Sequence, residues 1–316
     1  MPASSVVRPS RRAHHHRASN LFGTALNFRD SNAIVSTEWL ETHLDDADLR
    51  LFDCTVYLRP ADPEGTVPYR PESGRADYEL GHIPNAAFLD LLDELSDPDS
   101  AYFFMFPTEA RFVAAMQRQG IGEGLRVVLY SAGHIMWATR VWWMLRAFGF
   151  DAAILDGGFE KWKSEGRRLS TEPVAYPTAK FVPDLNAQLF VDKHAVLDAI
   201  DDETTLIINA LAGEYYRGES PSRYGRPGRI PGSASVPAAS LLNSDTHTFV
   251  APSIANDNFN AVGVDKAERI IAYCGGGISA TVDLFMLHQL GHDQLALYDA
   301  SMGEWASDES LPIERD

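Results

Sequence analysis

The sequence predicts an α/β protein built as two tandem domains, each a mostly parallel sheet with helices on both faces. Three observations carry that expectation. The chain has 316 residues, more than one hydrophobic core usually organises. It repeats itself at a constant spacing. Within each repeat, short apolar runs alternate with stretches of helical periodicity, the pattern of strands joined by crossover helices.

The repeat is read from landmarks in one order. Residues 119–131 align with residues 262–274: Gly120 matches Gly263, Arg126 matches Arg269, Tyr130 matches Tyr273, and Ser131 faces Cys274. The same spacing lays Asp156…Trp162 on Asp299…Trp305, and Gly81-His82-Ile83-Pro84 echoes Gly228-Arg229-Ile230-Pro231.

Element by element, the repeats run together. Each begins with an amphipathic helix, Thr37–Leu44 or Lys193–Ile200, and an apolar strand, Leu49–Asp53 or Thr205–Asn209. A loop-rich stretch with the Ile-Pro element follows, then a helix, placed at Thr108–Gln119 in the first repeat. A strand ending at Tyr130 or Tyr273 precedes a long helix, and a short strand enters the Asp…Trp segment. Residues 169–187, proline-rich with little periodicity, read as a linker between a first domain at 33–168 and a second at 188–316. Residues 1–32 read as a disordered leader, with a run of three histidines and no acid before Asp30. An organelle transit peptide shares that composition, but no amphipathic apolar face accompanies the arginines.

The net charge of −17 argues against nucleic acid and against an anionic membrane surface. No apolar run approaches the length of a membrane span. Two cysteines cannot form a disulfide framework and no secretory apolar region is seen, so a reducing, cytoplasmic setting is expected.

Cys274 stands after the apolar run Ile270–Tyr273 and before three glycines, Gly275, Gly276 and Gly277. Ala280–Leu290 then carries apolar residues at helical spacing. A thiol between a strand end and a helix start gains thiolate character. Glycines let the backbone curl, so the N–H groups from Gly275 through Ile278 and Ser279 to Ala280 are expected to converge on the sulfur, with the Ser279 hydroxyl as a further donor. Cys54 ends a strand of the first repeat and reads as structural, and His134 reads as packing.

On these residues the chain resembles the tandem-domain rhodanese sulfurtransferases, the thiosulfate and mercaptopyruvate enzymes, over residues 33–316. The resemblance implies two rhodanese-like domains, with Cys274 bearing sulfur in the six-residue loop Cys274–Ser279 and no metal or cofactor. The first domain has Ser131–Met136 in that place and is expected to be catalytically silent. Arg140–Leu145 and Gly157-Gly158-Phe159 also resemble the family's first domain. The implied activity moves a sulfane sulfur from a small anionic donor, thiosulfate or mercaptopyruvate, to cyanide or a thiol through a Cys274 persulfide. Three departures stand out. Asn209, Ala210 and Leu211 replace an Asp-x-Arg, Arg229 replaces the histidine of Gly-His-Ile-Pro, and Tyr215 replaces an arginine that binds the substrate carboxylate.

An anionic donor needs local positive charge in this acidic protein. Four arginines cluster at Arg217, Arg223, Arg226 and Arg229. Arg223 and Arg217 are the expected anion binders, with His82 of the first domain completing the pocket; the bland alternative pairs the arginines with Glu214 and Glu219.

Rival readings fare less well. Dual-specificity phosphatases of the same fold need an arginine six positions after the cysteine, where Ala280 stands. A nucleotide loop lacks both the Lys-Ser/Thr pair and the Gly-x-Gly-x-x-Gly fingerprint. A persulfide carrier or rhodanese-fold binding module acting with a protein partner is the remaining alternative. The donor is left open, since the uncharged loop leans toward mercaptopyruvate and Tyr215 leans away; thiosulfate with cyanide is put first as the general reaction, with the mercaptopyruvate type as runner-up.

Overall fold

A computed structural model describes residues 26–60, 69–220 and 222–316. Most of the leader expected at 1–32 lies outside the described residues. Arg29 and Asp30 are within them, bonded to Gln289 through the backbone N–H groups of both residues (2.7 and 3.2 Å).

The first half contains β1 (Ile34–Val35), α1 (Thr37–His43), β2 (Leu49–Asp53), β3 (Val56–Pro60), β4 (Tyr69–Ser73), α2 (Arg75–Leu80), β5 (Ala86–Phe88), α3 (Glu109–Arg118), β6 (Arg126–Tyr130), α4 (Met136–Ala147), β7 (Ala152–Leu155) and α5 (Gly158–Ser164). The second contains β8 (Phe190–Val191), α6 (Lys193–Ile200), β9 (Thr205–Asn209), α7 (Gly213–Arg217), β10 (Ala234–Ser235), α8 (Pro252–Asn260), β11 (Arg269–Tyr273), α9 (Ala280–Gln289), β12 (Leu295–Tyr298) and α10 (Ser301–Trp305).

Two five-stranded sheets result, ordered β1-β7-β6-β2-β5 and β8-β12-β11-β9-β10, with every pair parallel. The orders are the same, so the sequence repeat is a structural one. Alternation along the strands explains the layers. Leu51, Val128 and Tyr130 pack with Leu40 of α1 and Trp162 of α5, whereas Phe52, Val127 and Leu129 pack with Phe112 of α3 and Trp143 of α4. That second cluster continues into the other domain through α4 and α9, where Trp142 meets Phe285 edge-on at 4.7 Å. The tryptophans at 142, 143, 162 and 305 are all buried.

The loop-rich stretch of the first domain contains an element the periodicity did not reveal. Strands β3 and β4 form an antiparallel hairpin outside the main sheet. Residues 169–186 have no regular helix or strand, but they strap the first domain, with Tyr176 Oη accepting from the Leu51 amide and donating to the Asn85 carbonyl. Among the described residues, no helix is long and apolar enough to cross a membrane.

Candidate active site

Cys274 follows β11 at the carboxyl edge of the second sheet, the edge where open α/β sheets bind ligands. It is 2% exposed. Its loop is held from beneath by Ser301, whose Oγ accepts from the amides of Cys274 (3.0 Å) and Gly277 (3.1 Å) and donates to the Tyr298 carbonyl (2.7 Å). Ser301 adopts a left-handed φ of 53°, unusual for a side-chain-bearing residue; its counterpart in the first domain is Gly158, at φ 55°.

The expected ring of loop amides is therefore incomplete, because Gly277 N–H is already engaged by Ser301. The amides of Gly275, Gly276, Ile278, Ser279 and Ala280 have no hydrogen-bond partner among the described residues. The serine hydroxyl that organises the loop is Ser301; Ser279 is half-buried and starts α9 without a side-chain cap.

The first domain grips this loop. Arg140 of α4 is fully buried, and its guanidinium donates to the Gly277 carbonyl (3.2 Å), to Asp299 Oδ1 (2.6 Å) and to the Phe104 carbonyl (2.5 Å). Asp299 Oδ2 accepts from the Phe106 amide (2.7 Å). Next to Arg140, Thr139 and Thr281 share a hydroxyl bond of 2.7 Å across the α4–α9 contact. Asp283, two residues further along α9, is wholly buried with neither carboxyl oxygen partnered among the described residues. Burial, with the neighbouring Cys274, holds its carboxyl well above the usual carboxylate range.

Beside the loop opens a cleft of about 270 Å³. Tyr69, Tyr102 and Phe103 line it from the first domain, and Arg223, Tyr224, Gly275 and Gly276 from the second. Arg223 is exposed and makes no ion pair among the described residues. The other clustered arginines are committed elsewhere. Arg217 pairs with Glu219 at 2.7 Å and does not line the cleft. Arg226 donates to the carbonyl of Trp305, the last residue of α10, and to those of Ala306 and Leu311 beyond it. Arg229 pairs with Glu314 and Asp316.

His82 is a correction too. It is fully buried in the first domain, its Nδ1 2.7 Å from the Tyr78 carbonyl and its Nε2 3.1 Å from that of Glu172, so its ring cannot reach the cleft. It braces the turn, stacked on Tyr78 at 3.9 Å. Arg229 takes the same place in the second domain, over Tyr216 at 4.5 Å. Asn209 likewise serves where the family has aspartate: its Oδ1 accepts the Leu211 amide at 2.8 Å, as Asp53 Oδ1 accepts that of Thr55 at 2.9 Å.

In the first domain, the loop at Ser131–Met136 carries no thiol, and His134 is exposed on it, against the expected packing role. Cys54 is buried, and burial pushes its thiol up, with Asp53 adding to the effect. It is an inert thiol by that criterion.

The family model for the rhodanese-like domain matches twice, at residues 36–165 and 194–308. The chain belongs to the rhodanese family. Among the relatives of this chain is a 3-mercaptopyruvate sulfurtransferase of Escherichia coli, 31% identical over 89% of this chain and 97% of the relative. A thiosulfate sulfurtransferase of Rattus norvegicus is 30% identical over 86% of this chain and 91% of its own length. The crystal structure of SseA from Escherichia coli, a mercaptopyruvate enzyme of rhodanese fold, superposes with a TM-score of 0.72 at 30% identity, covering 86% of this chain and 99% of SseA. The protein is thus a sulfurtransferase of two rhodanese-like domains.

Proposed function

We propose that Cys274 is the nucleophile of this sulfurtransferase and carries the transferred sulfur as a persulfide. The observation that carries the reading is the loop itself: a cysteine at the carboxyl edge of the sheet, followed by unpartnered amides, with Gly275 and Gly276 next to it lining a cleft. Those amides are free to donate hydrogen bonds to the transferred sulfur or to the bound donor.

Two half-reactions follow. The Cys274 thiolate attacks the donor's outer sulfur, forming an S–S bond. With thiosulfate, the donor's S–S bond breaks and sulfite leaves with the electron pair. With mercaptopyruvate, the C–S bond breaks and the pair passes into the pyruvate enolate, whose carbon takes up the proton given up by the donor thiol. Cyanide or a thiolate then attacks the outer persulfide sulfur, and the Cys274 thiolate is released.

Arg223 is the anion-binding residue of this reading. Among the described residues it is the one charged side chain on the cleft, whose walls are otherwise aromatic or uncharged. A single cation with apolar walls suits a singly charged carboxylate better than the dianion thiosulfate, so mercaptopyruvate is the favoured donor. The first domain contributes walls and the Arg140 grip, not a nucleophile.

The test is cyanide-dependent thiocyanate formation from each donor by wild type and by Cys274→Ser. Turnover with mercaptopyruvate exceeding that with thiosulfate, abolished in the variant, supports the reading. Absence of turnover with either donor by folded protein overturns it in favour of a carrier or binding module.

A further inference from the structure

Two tyrosines, one from each domain, meet at the cysteine loop. Tyr69 is on β4 of the hairpin outside the first sheet, 6% exposed, and Tyr224 lies next to Arg223 in the second domain. Their rings meet edge to face at 6.2 Å. A side chain built on Gly276 would come within 3.0 Å of the Tyr69 hydroxyl, and one built on Gly275 would overlap the Tyr224 phenol. Both phenols thus occupy the space directly over the two residues that follow Cys274. Both line the cleft, and neither hydroxyl has a hydrogen-bond partner among the described residues. Both hydroxyls therefore open on the cleft, where a phenolic O–H can donate to an acceptor bound there.

We propose that Tyr69 and Tyr224 are substrate-contacting residues that donate paired hydrogen bonds to the oxyanion of the departing donor fragment. This rests on the proposed Cys274 chemistry and extends it to the group that leaves. As the thiolate bonds to the donor's outer sulfur, the breaking bond delivers its electron pair to sulfite or to the pyruvate enolate. Negative charge then grows on oxygen inside a cleft with one cation, Arg223. Two protonated phenols supply donors where a second cation is lacking, and they act without giving up their protons. Burial pushes both hydroxyls up from their ordinary range, with Cys274 adding to the effect in each, so both remain donors at neutral and moderately alkaline pH. The arrangement also gives the donor site a hydrogen-bonding wall from each domain, although Cys274 belongs to the second alone.

Tyr69→Phe, Tyr224→Phe and the double variant keep the rings and remove only the hydroxyls. Rapid mixing with mercaptopyruvate or thiosulfate measures persulfide loading in a single turnover, and mixing loaded protein with cyanide measures discharge. Each single variant is expected to slow loading roughly tenfold and the double variant on the order of a hundredfold, with discharge unchanged. Loading at the wild-type rate in the double variant overturns the proposal while leaving Cys274 in place. Slowing of discharge to the same extent as loading also overturns it, because the phenols would then serve the persulfide sulfur. Wild type that takes up no sulfur defeats the Cys274 reading itself, and the proposal with it.

Discussion

Replacing Gly277 by alanine should damage this protein far more than the same change at Gly276. Gly277 has φ +70°, a conformation costing an L-residue about 1–2 kcal/mol. Its new methyl would lie 2.8 Å from Asp299 Oδ1 and closer still to the Asp299 carbonyl oxygen. Asp299 cannot retreat, because Arg140 holds one carboxylate oxygen and the Phe106 amide the other. Overpacking of that kind costs about 1–3 kcal/mol more, for a total of roughly 2–5 kcal/mol. Gly276 has no positive φ, and its methyl would meet only the Tyr69 hydroxyl at 3.0 Å, the movable end of a side chain. Thermal unfolding with thiocyanate assays on both variants decides the matter. Gly277→Ala should melt several degrees lower and lose most activity by displacing the loop, with Gly276→Ala close to wild type in melting temperature. Equal melting temperatures and activities would refute the account of the loop.

Other outcomes follow from the same geometry. Arg140→Met leaves Asp299 buried without its partner and should cost about 3–5 kcal/mol by denaturant unfolding, a loss that Arg140→Lys only partly avoids because the fork of donors is gone. Asp283 binds its proton more tightly folded than unfolded, where an aspartate ionises near pH 4, at about 3.9. Stability is therefore lost as pH rises from about 4 toward the raised folded value, and the melting-temperature advantage of Asp283→Asn over wild type should widen between about pH 4 and 7. Arg223→Gln should raise KM for the donor, with the gap shrinking at high salt, whereas Arg217→Gln should leave both KM and kcat alone because its exposed pair with Glu219 is worth about 0–1 kcal/mol.

Much of the fold was legible because the chain repeats it. Gly120, Arg126 and Tyr130 return at Gly263, Arg269 and Tyr273, and β6 and β11 begin and end at matching landmarks. Strands β2 and β9 and helix α6 coincide with the stretches chosen from apolar periodicity. The β3–β4 hairpin escaped because Val56–Pro60 and Tyr69–Ser73 contain Pro60 and Pro71, which speak against a strand, and their pairing is outside the repeat.

Legibility in the site followed sequence distance. The cysteine loop is one contiguous stretch and could be read directly. Tyr69, Arg140 and Ser301 reach it from other elements, and no local pattern announces that; Gly158 opposite Ser301 in the repeat was the one available sign of a shared left-handed turn. The arginine cluster misled because charge density along a chain does not say where each side chain turns. Arg226 satisfies carbonyls at and beyond the end of α10, Arg229 reaches Glu314 and Asp316, and Arg223 alone of the four faces the cleft. His82 belongs to a brace that the second domain builds with Arg229 instead.

The most direct test of the central claim is the intact mass of the protein after brief incubation with mercaptopyruvate and removal of small molecules, for wild type and Cys274→Ser in parallel. The account predicts a gain of one sulfur atom on wild type, discharged by cyanide and absent from Cys274→Ser. A gain that persists in Cys274→Ser, or no gain on folded wild type with mercaptopyruvate or, in a parallel incubation, with thiosulfate, would contradict it.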